Sequence, residues 1–197
     1  MTILALLRHA PTEWNAARRL QGRADIPLSA AGRATLAARR LPDEIRGFRS
    51  LVSPLQRTRE TAALLGLSPQ IDERLVEMDW GRFEGRVITE LRREQGKAFL
   101  VNEARGLDFT PEGGESPRLV QARVMPLLAE IAGRDEPTLA VTHRGVIRAV
   151  YARATGWDMR GEAPHELDLY AMQIFTLGEN GAPAVARLNV PLAVREA

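Results

Sequence analysis

Three short polar segments stand out for the chemistry they could share: Arg8-His9, Ser53-Pro54 running on to Arg57, and Thr142-His143. Each follows an apolar run directly, at residues 3–7, 51–52 and 139–141. Two imidazoles and two guanidiniums gathered at one point make a strongly positive pocket, and such a pocket suits a dianion, phosphate above all. Taken singly, these residues say little. A lone histidine at a strand end is commonly a hydrogen-bonded structural group, and an arginine such as Arg57 is commonly a surface ion-pair partner. Their joint placement carries the weight, because the chain has only 3 histidines and two of them stand at these positions. The third, His165, follows Ala163-Pro164 without such a run and reads as structural.

The elements that must bring these residues together follow from the apolar pattern. Short continuous apolar runs are the mark of strands buried on both faces. Each is followed by a helical pattern. Ser29 can cap a helix reaching about residue 40, Ser53 with Pro54 at the first helical position begins one to about residue 65, and Ser116 with Pro117 begins a third. In that third helix Val120, Val124, Leu127, Leu128 and Ile131 recur at helical spacing, so they belong to the core and not to a site. Alternating strands and helices imply an α/β fold with a largely parallel sheet, in which ligands bind beyond the carboxyl ends of the strands. The helix expected at Ser53 would add its backbone N–H groups there. Residues 169–177 and 184–190 read as two further strands joined by a turn at 178–181, one of them antiparallel at a sheet edge.

Composition removes many alternatives. There is no cysteine, which excludes thiol nucleophiles, disulfide scaffolds and thiolate zinc sites. Lys97 is the only lysine among 27 basic residues, and against 25 acidic ones the net charge is only +2. The arginine pairs 18–19, 39–40 and 92–93 have acids interspersed and few aromatics nearby, so they read as solvated faces, with no nucleic-acid partner expected. The apolar start has no basic flank and leads into Arg8-His9, unlike a targeting signal, and no window is long and apolar enough to span a bilayer. A cytoplasmic location is therefore expected, with no membrane partner. The Gly-x-Gly-x-x-Gly, Walker, Asp-x-Asp and Gly-x-Ser-x-Gly patterns are all missing.

Residues 7–15, Leu-Arg-His-Ala-Pro-Thr-Glu-Trp-Asn, resemble the Arg-His-Gly signature that opens the histidine phosphatase superfamily, also called phosphoglycerate-mutase-like. Residues 21–28, 53–57, 77–81, 113–116 and 143–148 are similar to that family's later blocks, in the family's order. The resemblance implies a three-layer α/β/α sandwich with a mostly parallel sheet, as a single domain over residues 1–197. It also implies roles. His9 would be the phosphorylated nucleophile. Arg8, Arg57 and His143 would hold the phosphoryl oxygens, with Asn15, Gln21 and Gly22 lining the pocket. Glu77 would donate the proton to the leaving group, with Asp79 as the local competitor; the bland alternative for either acid is an ion pair with Arg82 or Arg86.

No metal or other cofactor is required by that scheme, because fixed arginines can cancel oxygen charge. The sequence departs from the family pattern at Ala10, where glycine is usual, and at Arg144, which stays outside the expected site. The short segment after Gly85 and the block at 111–116 favour a phosphomonoester hydrolase acting on a small phosphorylated metabolite. A cofactor-dependent phosphoglycerate mutase and a non-catalytic phosphate-binding protein are the alternatives. Specificity is expected at the rim, in residues 21–22, those after Trp80, and those between about 90 and 111. The sequence leaves the oligomeric state open.

Overall fold

The computed structural model describes residues 1–195. Its centre is a six-stranded sheet in the order β4-β3-β5-β1-β6-β7. The strands are β1 (Thr2–Arg8), β3 (Arg49–Val52), β4 (Gln70–Ile71), β5 (Thr138–Thr142), β6 (Met172–Leu177) and β7 (Pro183–Val190). β1, β3, β4 and β5 run parallel, and β6 is antiparallel to both of its neighbours. The antiparallel pairing thus falls at the β6–β7 end of the sheet, where the expectation placed it. A separate two-stranded sheet joins β2 (Arg39–Arg40) to β8 (Ala193–Val194).

Side chains alternate across the sheet, and the alternation divides the interior into two cores. Leu4 and Leu6 of β1 pack with Val120, Val124, Leu127, Val146 and Val150 on one face. Ala5 and Leu7 pack with Leu36, Val52, Ala62 and Val141 on the other. The first face is covered by α4 (Ile88–Gln95), α5 (Lys97–Glu103), α6 (Pro117–Arg134) and α7 (Arg144–Thr155), and the second by α2 (Ala30–Ala37) and α3 (Gln56–Leu64). A short α1 (Glu13–Ala16) follows the first strand. This is the expected three-layer arrangement. It explains why the central strands are apolar throughout, since both their faces are covered.

α6 starts as expected, with Ser116 Oγ accepting from Leu119 N and Pro117 at the first position. Two helix boundaries differ from expectation. α2 has its Ser29 cap but ends at Ala37, because Arg39 and Arg40 pair with β8 and leave the helix. α3 begins at Gln56, and Ser53 does not cap it. The amide of Gln56 is instead satisfied by Asp25 Oδ1 at 2.6 Å. That amide is thereby unavailable to a ligand, contrary to the expectation drawn from Ser53 and Pro54.

Candidate active site

Strand register sets the geometry of the site. β1 and β5 pair Leu7 with Val141 and Arg8 with Thr142, so the residues that follow, His9 and His143, emerge side by side. The His9 amide continues the ladder by donating to Thr142 O at 3.0 Å. The ring centroids are 5.3 Å apart, close to the spacing of neighbouring strands, about 4.8 Å. His9 Nδ1 donates to Ala10 O at 2.8 Å, which leaves Nε2 as the nitrogen with a free lone pair. Burial, then Arg8 and Arg57, holds the His9 imidazole well below its usual pKa, so it is neutral and able to act as a nucleophile. Ala10 has no positive φ, and its amide donates to Thr61 Oγ1 at 3.0 Å. The departure from glycine therefore costs no backbone strain.

His143 is fully buried, and its Nε2 meets Ser53 Oγ at 2.7 Å. Ser53, expected as a helix cap, instead fixes this ring from the end of β3. Burial, then Arg57, keeps His143 well below the usual pKa. Arg57 is itself 0% exposed. Its Nη1 and Nη2 donate to Ala24 O and Gly22 O, each at 2.8 Å. The loop that supplies these carbonyls is held in turn by Glu84, whose two oxygens accept from Arg23 N at 2.6 Å and Ala24 N at 2.9 Å. Gly22 has φ +54°, and a Cβ there would lie 2.0 Å from Glu84 Oε1, so glycine is needed for both conformation and space.

Glu77 borders the same cavity as His9. Its Oε1 accepts from Met78 N at 2.8 Å and Gly145 N at 3.0 Å, whereas Oε2 has only the longer contact of 3.3 Å to Gly145 N. A Cβ on residue 145 would stand 2.3 Å from Oε1. The glycine two places after His143 is thus what lets α7 approach this carboxylate. Asp79, the competitor, faces elsewhere: Oδ1 accepts from Gly81 N at 2.8 Å, and Oδ2 pairs with Arg23 at 3.6 Å. Neither acid takes the expected arginine partners, since Arg82 pairs with Glu112 and Arg86 with Glu94.

A cavity of about 640 Å³ opens over these groups. Arg8, His9, Asn15, Gln21, Gly22 and Glu77 line it, while Arg57 and His143 are fully buried beside these residues. Asn15 Oδ1 is occupied by the backbone N–H and hydroxyl of Thr12, in the capping box of α1. Among the described residues, the buried side-chain polar atoms without any partner are Arg8 Nε, Gln21 Oε1, Arg57 Nε and His143 Nδ1. An orphaned buried polar atom costs about 1–3 kcal/mol, and here all four belong to one cluster. Residues outside the expected site also line the cavity: Arg144 and Gly145, next to His143, and Arg148, Met159 and Tyr170 from beyond it. His165 lies outside, bonded to Tyr151 Oη at 2.8 Å, as expected of a structural group. No group of three or more histidine and acidic side chains among the described residues is arranged to hold a metal.

A parallel sheet whose strand ends gather two histidines, two arginines and unsatisfied donors defines an α/β enzyme that handles small anions. Comparison with known proteins makes that class specific. The histidine phosphatase superfamily (branch 1) matches residues 4–191, and the chain belongs to that family. It is 36% identical to phosphoglycerate mutase-like protein 4 of Arabidopsis thaliana, over 77% of this chain and 70% of that protein. It is 33% identical to the metal-independent phosphoserine phosphatase of the same plant, over 79% of this chain and 69% of that protein. In structure it is similar to a mycobacterial glucosyl-3-phosphoglycerate phosphatase in complex with VO3, with a TM-score of 0.79 at 27% identity. That match covers 96% of this chain and 100% of the other. No helix among the described residues is long and apolar enough to cross a membrane.

Proposed function

We propose that the protein hydrolyses the phosphomonoester of a small metabolite through a phosphohistidine at His9. The observation that carries this reading is the set of orphaned donors Arg8 Nε, Arg57 Nε and His143 Nδ1 on residues gathered with a neutral imidazole whose Nε2 lone pair is free. Arg8 Nε, Arg57 Nε and His143 Nδ1 are donors suited to phosphoryl oxygens, and burial strengthens each such bond. Nε2 of His9 attacks phosphorus, the P–N bond forms, and the P–O ester bond breaks. The leaving alkoxide takes a proton from Glu77, carried on the less engaged Oε2. Water then gives a proton back to Glu77 and attacks the phosphohistidine, which releases phosphate and restores neutral His9. Asn15 and Gln21 serve as pocket-lining contacts in this scheme. Similarity to phosphatases named for phosphoserine and glucosyl-3-phosphoglycerate supports a small phosphorylated substrate.

Return of the phosphoryl group to a bound product, as in a mutase, requires water to be kept from the intermediate. Here the cavity mouth carries Arg144, which is exposed, and Tyr170, which is 61% exposed, so the site is open to solvent. Rapid mixing with a radiolabelled aryl phosphate, followed by a quench in base, tests the reading. Acid-labile protein-bound label is expected in the parent and none in His9→Ala. Unlabelled parent enzyme, or label that persists in the variant, overturns the assignment.

A further inference from the structure

The outer part of the cavity carries cations for which the hydrolytic scheme has no use. Arg144 and Arg148 lie four residues apart on α7, so they share one helix face, and both line the cavity. Arg148 is half-buried, with its guanidinium carbon 4.8 Å from the centroid of the Trp157 ring. Burial and then Arg144 push it down to about 10, with no carboxylate acting in the opposite direction. Two other arginines of the same cavity are neutralised or tied down. Arg92 pairs with Glu103, and Arg19 donates to Gly85 O at 2.9 Å. A partly buried cation without an acid partner lowers stability, and a cost of that kind kept at the mouth of a site is characteristic of function.

Building on the hydrolytic reading, we propose that Arg148, assisted by Arg144, forms a second anion subsite, and that the substrate is a phosphomonoester bearing another acidic group. Four residues along α7 place Arg148 about 6 Å further along the helix axis than Arg144, which itself follows His143. The second anion therefore belongs a few bonds away from the phosphorus, on a short carbon skeleton. Trp157 holds the planar guanidinium in one orientation, which favours bidentate contact with a carboxylate or a second phosphate.

The test compares kcat/KM for three esters of one skeleton: phosphorylated hydroxypropanoate, the same compound with its carboxylate masked as a methyl ester, and propanediol bisphosphate. The parent is expected to favour at least one doubly acidic ester over the methyl ester by tenfold or more, and the better of the two identifies the second anion. Arg148→Met should collapse that preference toward unity. It should also hold or raise the melting temperature, since it removes an unpaired charge and keeps an apolar stem against Trp157; a purely structural role predicts the opposite shift. Arg148→Gln supplies the same ratio if the methionine variant melts early. A parent without preference, or variants that retain it, overturns the subsite while hydrolysis stands. A parent that cleaves none of the three esters removes the hydrolytic reading and this proposal together.

Discussion

Gly145→Ala probes Glu77 as the proposed proton donor without replacing any titratable group. The new Cβ would stand 2.3 Å from Glu77 Oε1 and 3.1 Å from Met78 Cβ. An ordinary carbon–oxygen contact is about 3.5 Å, so the carboxylate must retreat by roughly 1 Å. It also loses or stretches the bond from Gly145 N, now 3.0 Å. A displacement of about 1 Å at a reacting group costs on the order of 100-fold in rate. The fold should tolerate the change, because the clashing atom ends a flexible side chain, residue 145 is helical without a positive φ, and alanine is the better helix former by up to about 1 kcal/mol. The assay is kcat/KM, which reports the proposed phosphorylation of His9, across esters from nitrophenol to simple alcohols. Alkyl esters should fall about 100-fold and nitrophenyl esters only a few-fold, because a good leaving group needs little help from an acid. Equal losses across the series, or no loss with alkyl esters, would refute the role of Glu77 and the reason given for the glycine.

Two further expectations rest on other contacts. Glu84→Gln replaces one of two acceptor oxygens with a donor facing Arg23 N or Ala24 N, so the loop whose carbonyls grip Arg57 should loosen. The inhibition constant of inorganic phosphate should rise about tenfold, corresponding to about 1.4 kcal/mol, and an unchanged constant would disconnect Glu84 from Arg57. The buried histidines predict the pH dependence of stability. Burial, more than the neighbouring arginines, holds His9 and His143 below the unfolded value of about 6.5, so the unfolded chain binds more protons as pH falls. Stability should be complete above that value and decline below it, by about 1.4 kcal/mol per imidazole for each pH unit in which the folded ring stays neutral. Urea unfolding at pH 7.5 and 5.5 measures the loss, and His143→Asn should make it shallower; an identical slope in the variant would contradict the burial argument.

The sequence by itself determined the strands that end in Arg8-His9, Ser53 and Thr142-His143, the amphipathic face of α6, and the absence of thiol chemistry. These are properties of neighbours along the chain: an apolar run long enough for a strand, a 3.6-residue repeat, a missing residue type. Tertiary structure alone decided that β5 lies between β1 and β3, which turns two distant histidines into a pair and assigns Ser53 to His143 in place of a helix end. It also decided that Gly145 makes room for Glu77, that Asp25 and not Ser53 completes α3, and that Arg148 faces the cavity beside Arg144. Such contacts depend on which elements are adjacent and how much volume separates them. Residues some 68 to 90 positions apart carry no local pattern that announces the meeting.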